Sequence, residues 1–294
     1  MNFLYLNGRM LSADEAKVSV FDRGFAYGDA LFETLKVLGG KPVFMREHYG
    51  RLITGLKDAG FGAIPDIKEL TRQATGLAEK NGVVSGRLRL LVTRGTPTGA
   101  MESGPDGPDP KEGLEPTVLM TIEVFTGFPP EIYESGVAVQ TVGANRGRYA
   151  FLKSSGLMAM IKAREAARDA GASEAILTTG HGRVLEGAYS NIFFIAGRNL
   201  VTAPVSDPIL PGVTRQKVID IATELGLAVE EQALKLEGPG LGEYAAFLTS
   251  SLLGICPVST FDGTGIKLDI ETCHRLAEEL AVLERQDIGS IALP

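Results

Sequence analysis

Two glycine turns fix how the first third of this chain can fold. Asn7-Gly8 lies between the apolar segments Phe3 to Leu6 and Arg9 to Leu11, and Gly39-Gly40 lies between Leu31 to Val37 and Pro42 to Phe44. Paired residues that tolerate positive φ, set between apolar runs, favour the two-residue hairpin whose twist matches that of its strands. The chain is thus committed to antiparallel sheet from its start. From Arg46 the period changes. Tyr49, Leu52, Ile53 and Leu56 share one helical face with Gly60 as a stop, and a second helix is expected from Asp66 to Lys80, ending at Asn81-Gly82. Arg87 to Thr93 and Thr117 to Phe125 read as strands, making this half α+β.

Between those strands, Gly95 to Pro116 is dense in glycine, proline and acidic residues and reads as a mobile surface loop or a lid. With 294 residues, 44% of them hydrophobic, the chain exceeds what one core commonly holds, since single cores rarely grow beyond ~250 residues. Two domains are expected, 1–126 and 127–294, joined at Thr126-Gly127-Phe128-Pro129-Pro130. In the second half, strands are expected at Val137 to Val142, Glu174 to Thr178, Val184 to Leu185, Asn191 to Ala196, Ala245 to Leu248 and Ile255 to Phe261. Helices are expected from Ser155 to Ala170, Val213 to Leu225 and Asp269 to Arg285. The fold class is a two-domain α+β and α/β protein.

A net charge of −7 without a lysine- or arginine-rich run argues against nucleic acid or an anionic membrane as partner. Cys256 and Cys273 show no paired spacing, and His48, His181 and His274 are scattered, so no disulfide frame and no metal site is expected. The N-terminus lacks the features of a signal peptide, and no apolar run approaches the ~18 residues of a membrane span. A cytoplasmic protein is expected.

Four short stretches carry chemistry. Lys153 follows Tyr149-Ala150-Phe151-Leu152, an apolar neighbourhood in which desolvation favours the neutral, nucleophilic amine. A snorkelling surface lysine gives the same local pattern. A P-loop is excluded, because Leu152 stands where a glycine is required. Gly212-Val213-Thr214-Arg215 opens an amphipathic helix whose first amides can hold a phosphate or simply be capped. Three adjacent hydroxyls at Thr249-Ser250-Ser251 need partners, from backbone or from an anion. Glu186, set between apolar residues, must pair with a cation, either a protonated ring nitrogen or a structural base.

In this order the motifs resemble the fold-type IV pyridoxal phosphate (PLP) enzymes, which include branched-chain and D-amino acid aminotransferases and aminodeoxychorismate lyase. The resemblance runs from Tyr5-Leu6-Asn7-Gly8, through Phe21 to Thr34 and Glu47 to Leu52, to Lys153, Glu186 with Ser190-Asn191-Ile192-Phe193, Leu210 to Arg215, and Ser250-Ser251 before Pro257-Val258. It implies that Lys153 is the Schiff-base lysine and proton carrier and that Glu186 binds the pyridine nitrogen. Arg51, the amides of Val213 and Thr214, and Ser251 would hold the phosphate, while Tyr27 and Phe32 would line the substrate pocket. It also implies a homodimer, with the active site between the domains and a partner loop closing it. The expected activity is transfer of an amino group between an amino acid and a 2-oxo acid. Formation of 4-aminobenzoate by a lyase, or a catalytically silent PLP-binding protein, are the alternatives.

Two departures bear on the substrate. Met158 stands where branched-chain enzymes usually carry a tyrosine, five residues after the lysine, and Thr93-Arg94-Gly95 is not followed by the arginine usual in D-amino acid enzymes. Arg146 and Arg148 are candidate replacements as carboxylate donors, since guanidinium grips carboxylate in a bidentate fork.

Overall fold

A computed structural model describes residues 2–61, 66–97, 114–144, 146–235 and 242–290. The chain divides into two compact units, one of Met1–Thr126, Leu152–Gly156 and Glu284–Pro294, the other of Gly127–Phe151 and Leu157–Leu283. Lys153 therefore belongs to the first unit, whereas the sequence reading grouped it with the second half. The central part of the expected loop, residues 98–113, lies outside the described residues.

Among the described residues the first unit is built on six strands, β1 (Phe3–Leu6), β2 (Arg9–Ser12), β3 (Ala30–Leu38), β4 (Lys41–Pro42), β5 (Gly86–Thr93) and β6 (Val118–Val124). Their order is β2-β1-β6-β5-β3-β4, and every neighbouring pair is antiparallel. Both expected hairpins are present, with positive φ at Asn7 (47°), Gly8 (85°), Gly39 (56°) and Gly40 (76°), the backbone that a two-residue turn of this hand requires. Helices α2 (Met45–Asp58) and α3 (Ile67–Asn81) supply Leu52, Leu56, Leu70 and Leu77 to a core with Leu35 of β3 and Leu88 of β5. Asp66 caps α3 by accepting from the Lys68 and Glu69 amides, and Gly82 ends it in the left-handed region. A short helix, α1 (Arg23–Tyr27), was not expected from the sequence. Fully buried Asp22 caps it and also accepts from the Thr93 and Thr117 hydroxyls, 2.9 and 2.7 Å.

Among the described residues the second unit carries nine strands: β7 (Val137–Val142), β8 (Glu174–Thr178), β9 (Val184–Gly187), β10 (Asn191–Ala196), β11 (Asn199–Thr202), β12 (Ala228–Glu231), β13 (Ala245–Ser250), β14 (Gly254–Phe261) and β15 (Thr264–Gly265). Their order is β12-β11-β10-β13-β14-β7-β8-β9, with β15 on β14. The pairs β11–β12, β14–β7 and β7–β8 are parallel, so the sheet is mixed. Its helices are α4 (Glu131–Ser135), α5 (Met158–Asp169), α6 (Val213–Glu224) and α7 (Ile270–Ser290), the last running on into the first unit from Glu284.

Connectivity forces this sheet to curl. β9 and β10 are five strand intervals apart in the sheet order, about 24 Å in a flat sheet. The chain from Gly187 to Asn191 spans at most about 14 Å when fully extended. The two strands must come round toward each other, enclosing the apolar side chains of Val139, Ile176, Ile192, Phe194, Leu248 and Val258. Glu186 sits in β9 where this closure is made.

Candidate active site

In the first unit, Lys153 is held by backbone. β3 pairs with β5 along Ala30 to Val37 but with β4 only at Val37 and Leu38, which leaves one edge open at its start. Leu31 bridges Ser154 there in antiparallel fashion; the Phe32 N–H donates to the Lys153 carbonyl (2.9 Å) and the Ser155 N–H to the Ala30 carbonyl (3.0 Å). This strand addition is the physical reason that Lys153 joins the first unit. Opposed residues of an antiparallel pair point to the same face. The Lys153 Nζ accordingly stands over the Phe32 ring, 4.7 Å from its centroid, and the Arg89 guanidinium stands over the same ring at 4.0 Å. Leu152 packs against the core, and Gly55 of α2 leaves it room, since a Cβ there would lie 3.0 Å from Leu31 and 3.3 Å from Leu152.

Beside this edge lies a charged cluster that the sequence reading missed. Glu33 occupies the core-facing phase of β3, between Leu31 and Leu35, and is 1% exposed. Arg51 of α2 grips it through Nε to Oε1 (2.8 Å) and Nη2 to Oε2 (2.5 Å), and His48, one helical turn earlier, meets Oε2 through Nδ1 at 2.7 Å. Burial alone would raise the Glu33 carboxyl, yet Arg51 and His48 together bring it down to about 2. Burial, with Arg51 and Lys153 nearby, pushes His48 below its ordinary value against the pull of Glu33, so the ring is neutral near pH 7. The signal was present in the sequence: an acidic residue in the apolar phase of a strand requires buried partners. Tyr27, in contrast, is half-exposed at the end of α1, with the Arg23 guanidinium 5.1 Å above its ring.

In the second unit Glu186 is 1% exposed. Its Oε1 accepts from Arg146 Nε (2.7 Å), and its Oε2 accepts from the Leu210 N–H (3.0 Å) and, at longer range, from Asn191 Nδ2 (3.4 Å). Arg146 also donates through Nη2 to the Ala188 carbonyl, 2.7 Å, and Asn191 Nδ2 to the Leu210 carbonyl, 3.0 Å. The structure thus pairs Arg146 with Glu186, while Arg148 is exposed. Glu174, which burial raises above the usual carboxylate range, accepts from the Tyr189 N–H and the Ser190 hydroxyl, both at 3.3 Å, and fixes the connection that follows Glu186. Leu210 leads into α6, which opens with Val213 and Thr214, both buried; its N-cap, Gly212, offers no side-chain hydrogen bond. Backbone amides in such a first turn suit an anion. Ser251 lies in the turn between β13 and β14 and is partly buried.

Among the described residues no group of three or more His, Cys, Asp or Glu is placed to bind a metal, and no helix is long and apolar enough to cross a membrane. Cys256 and Cys273 are buried free thiols, each pushed up to about 12 by burial.

The family model for amino-transferase class IV matches residues 30–261. The chain belongs to the class IV aminotransferases. It is 32% identical to D-alanine aminotransferase of Bacillus licheniformis, over 88% of both chains. It is 33% identical, again over 88% of each, to a Methanocaldococcus jannaschii protein whose name carries a provisional branched-chain-amino-acid aminotransferase assignment. The branched-chain amino acid aminotransferase of Escherichia coli superposes with a TM-score of 0.85 at 26% identity, covering 96% of this chain and 94% of that one. The resemblance to the fold-type IV enzymes, and the two-part mixed α and β fold it implied, are borne out. For a class IV aminotransferase, Lys153, Arg51, Phe32, Glu186, Val213, Thr214 and Ser251 all fall within the matched span, and Tyr27 just before it.

Proposed function

We propose that this chain is a pyridoxal phosphate-dependent aminotransferase that moves an amino group between an amino acid of branched-chain or D-amino acid type and a 2-oxo acid. The observation that carries the reading is the anchorage of Lys153 to the edge of β3, with its amine over the Phe32 ring. The residues present suit the cofactor: a buried carboxylate for its ring nitrogen, an α-helix start without a side-chain cap for its phosphate, and a backbone-fixed lysine for its aldehyde. When bound, the cofactor supplies an electron-withdrawing ring that takes up charge released at the substrate's α-carbon.

In this reading Lys153 holds the aldehyde end and moves the proton at the substrate α-carbon. Glu186 would hold the ring N–H, with Arg146 orienting its carboxylate. The amides of Val213 and Thr214, the Ser251 hydroxyl and Arg51 hold the phosphate, and Glu33 sets the plane of the Arg51 fork. Tyr27 and Phe32 line the substrate side. The carboxylate-binding role considered for Arg146 or Arg148 fits Arg89 better, because Arg89 shares the Phe32 ring with Lys153. A homodimer and a cytoplasmic location belong to the same reading; light scattering of the purified chain tests the first.

Lys153→Ala tests the assignment. Turnover should fall by about 10³-fold or more, while the variant still takes up pyridoxal phosphate without a borohydride-stable link. Undiminished turnover refutes it. A panel of L- and D-amino donors with 2-oxoglutarate, run beside aminodeoxychorismate, then reads the substrate class and separates transfer from lyase chemistry.

A further inference from the structure

The second unit holds a buried hydroxyl that the fold does not explain. Thr249 is 1% exposed, and its Oγ1 has no hydrogen-bond partner among the described residues. Buried polar groups are nearly always paired, and an unmade bond is a net cost to the fold. Its surroundings show what it faces. Thr249 lies directly opposite Asn191 in the β13–β10 register, and opposed residues share a face with Cβ atoms about 4.5–5.5 Å apart. The next pair on that face, Phe247 and Phe193, stacks with centroids 5.0 Å apart and planes 7° from parallel. Asn191 reaches the Leu210 carbonyl and lies against Gly212, where an added Cβ would come within 2.1 Å of its Oδ1. Thr249 is thus the cross-strand neighbour of the residue packed on the start of α6, a twelve-residue helix whose N-cap contributes no side-chain bond. One acceptor bearing negative charge would satisfy both features, the helix start without a side-chain cap and the orphaned hydroxyl.

We propose that the Thr249 hydroxyl donates to an oxyanion seated at the first turn of α6, as a further anchor for the phosphate of the cofactor. This rests on the reading given under Proposed function and adds a residue to it. Thr249 sets phosphate affinity without touching the reacting atoms, so its removal should separate ligands that carry the phosphate from those that do not.

The test titrates the full-length cofactor-stripped chain, as wild type, T249S and T249V, with pyridoxal phosphate and with pyridoxal, followed by absorbance, alongside thermal unfolding without ligand. T249V should bind pyridoxal phosphate about tenfold more weakly than wild type, T249S should bind it nearly as well as wild type, and all three should bind pyridoxal alike. Equal binding of pyridoxal phosphate by T249V and wild type overturns the proposal. So does an equal loss for both ligands, since the hydroxyl would then serve packing or a buried water. T249A repeats the removal if the valine variant unfolds. Should wild type take up no pyridoxal phosphate, the aminotransferase reading falls, and inorganic phosphate measured by calorimetry decides Thr249 alone. Weaker phosphate binding to T249V then supports the anion site, and equal binding overturns it.

Discussion

Glu33 and Glu186 are both buried carboxylates gripped by an arginine, yet they are built differently. Glu33 stands in the middle of a nine-residue strand, and both its side-chain partners come from one helix, His48 and Arg51 at a spacing of three. Glu186 stands at the closing point of a curled sheet, and its partners come from three separate stretches: Arg146 before the lysine, Asn191 of β10 and the Leu210 amide before α6. The first arrangement forms whenever one strand and one helix pack. The second forms only when distant parts of the unit have closed, so it reports on the whole sheet.

The largest effect should come from breaking the rigid pair. Glu33→Ala leaves the Arg51 guanidinium facing a neutral histidine and should cost about 3–5 kcal/mol in urea unfolding, while Glu33→Leu with Arg51→Met should recover most of the loss. Glu186→Ala should cost less, about 1–3 kcal/mol, because Arg146 is carried on an irregular segment and can turn to water. Equal losses for the two alanine variants would erase the distinction between them.

Acid sharpens the contrast. The Glu33 carboxyl is held down to about 2, against an ordinary value of 4.5. Its contribution is complete above the ordinary value and is lost as pH falls toward 2, amounting to about 3 kcal/mol. His48, lowered by burial, acts in the same direction, since the unfolded chain takes up its proton first as pH falls. Glu174 in the other unit is raised and acts oppositely: between its ordinary and its raised value, stability falls as pH rises. Glu33→Gln should therefore flatten the acid limb of a stability-against-pH curve; an unchanged slope as pH falls from 4.5 toward 2 would count against the charged pair.

The smallest effects are steric. Gly212→Ala would drive a methyl against Asn191 Oδ1 at 2.1 Å, disturbing the link to Glu186 at a cost of about 1–3 kcal/mol. Gly50, exposed on α2 with nothing within 4 Å of an added Cβ, should instead gain roughly 0.5–1 kcal/mol on change to alanine. Thermal melts of the two variants, shifting in opposite directions, are the check.

Much of the scaffold was legible because its signals are local. Glu174–Thr178, Val137–Val142 and Asn191–Ala196 begin and end where apolar runs and turn residues place them. β12 escaped because Ala228-Val229-Glu230-Glu231 is a short edge strand, half acidic and largely exposed, with no buried face to imprint a pattern. The five-residue helices α1 and α4 bury no residue, so they carry no apolar period. For the proposed site, residue type pointed to Lys153, Glu186 and the start of α6. The pairing of Arg146 with Glu186 bridges forty positions, and no spacing in the sequence announces a contact made only by folding. Glu33 could have been found from strand phase alone.

The edge that β3 offers to Lys153 has one more consequence. With its own carbonyl and the Ser155 amide both engaged, position 153 is a fixed post, and its amine can travel only on the leash of its own methylenes. In the proposed reaction, any excursion of the nitrogen is a swing about side-chain torsions, completed on the timescale of rotamer exchange without any rebuilding of the chain beneath it.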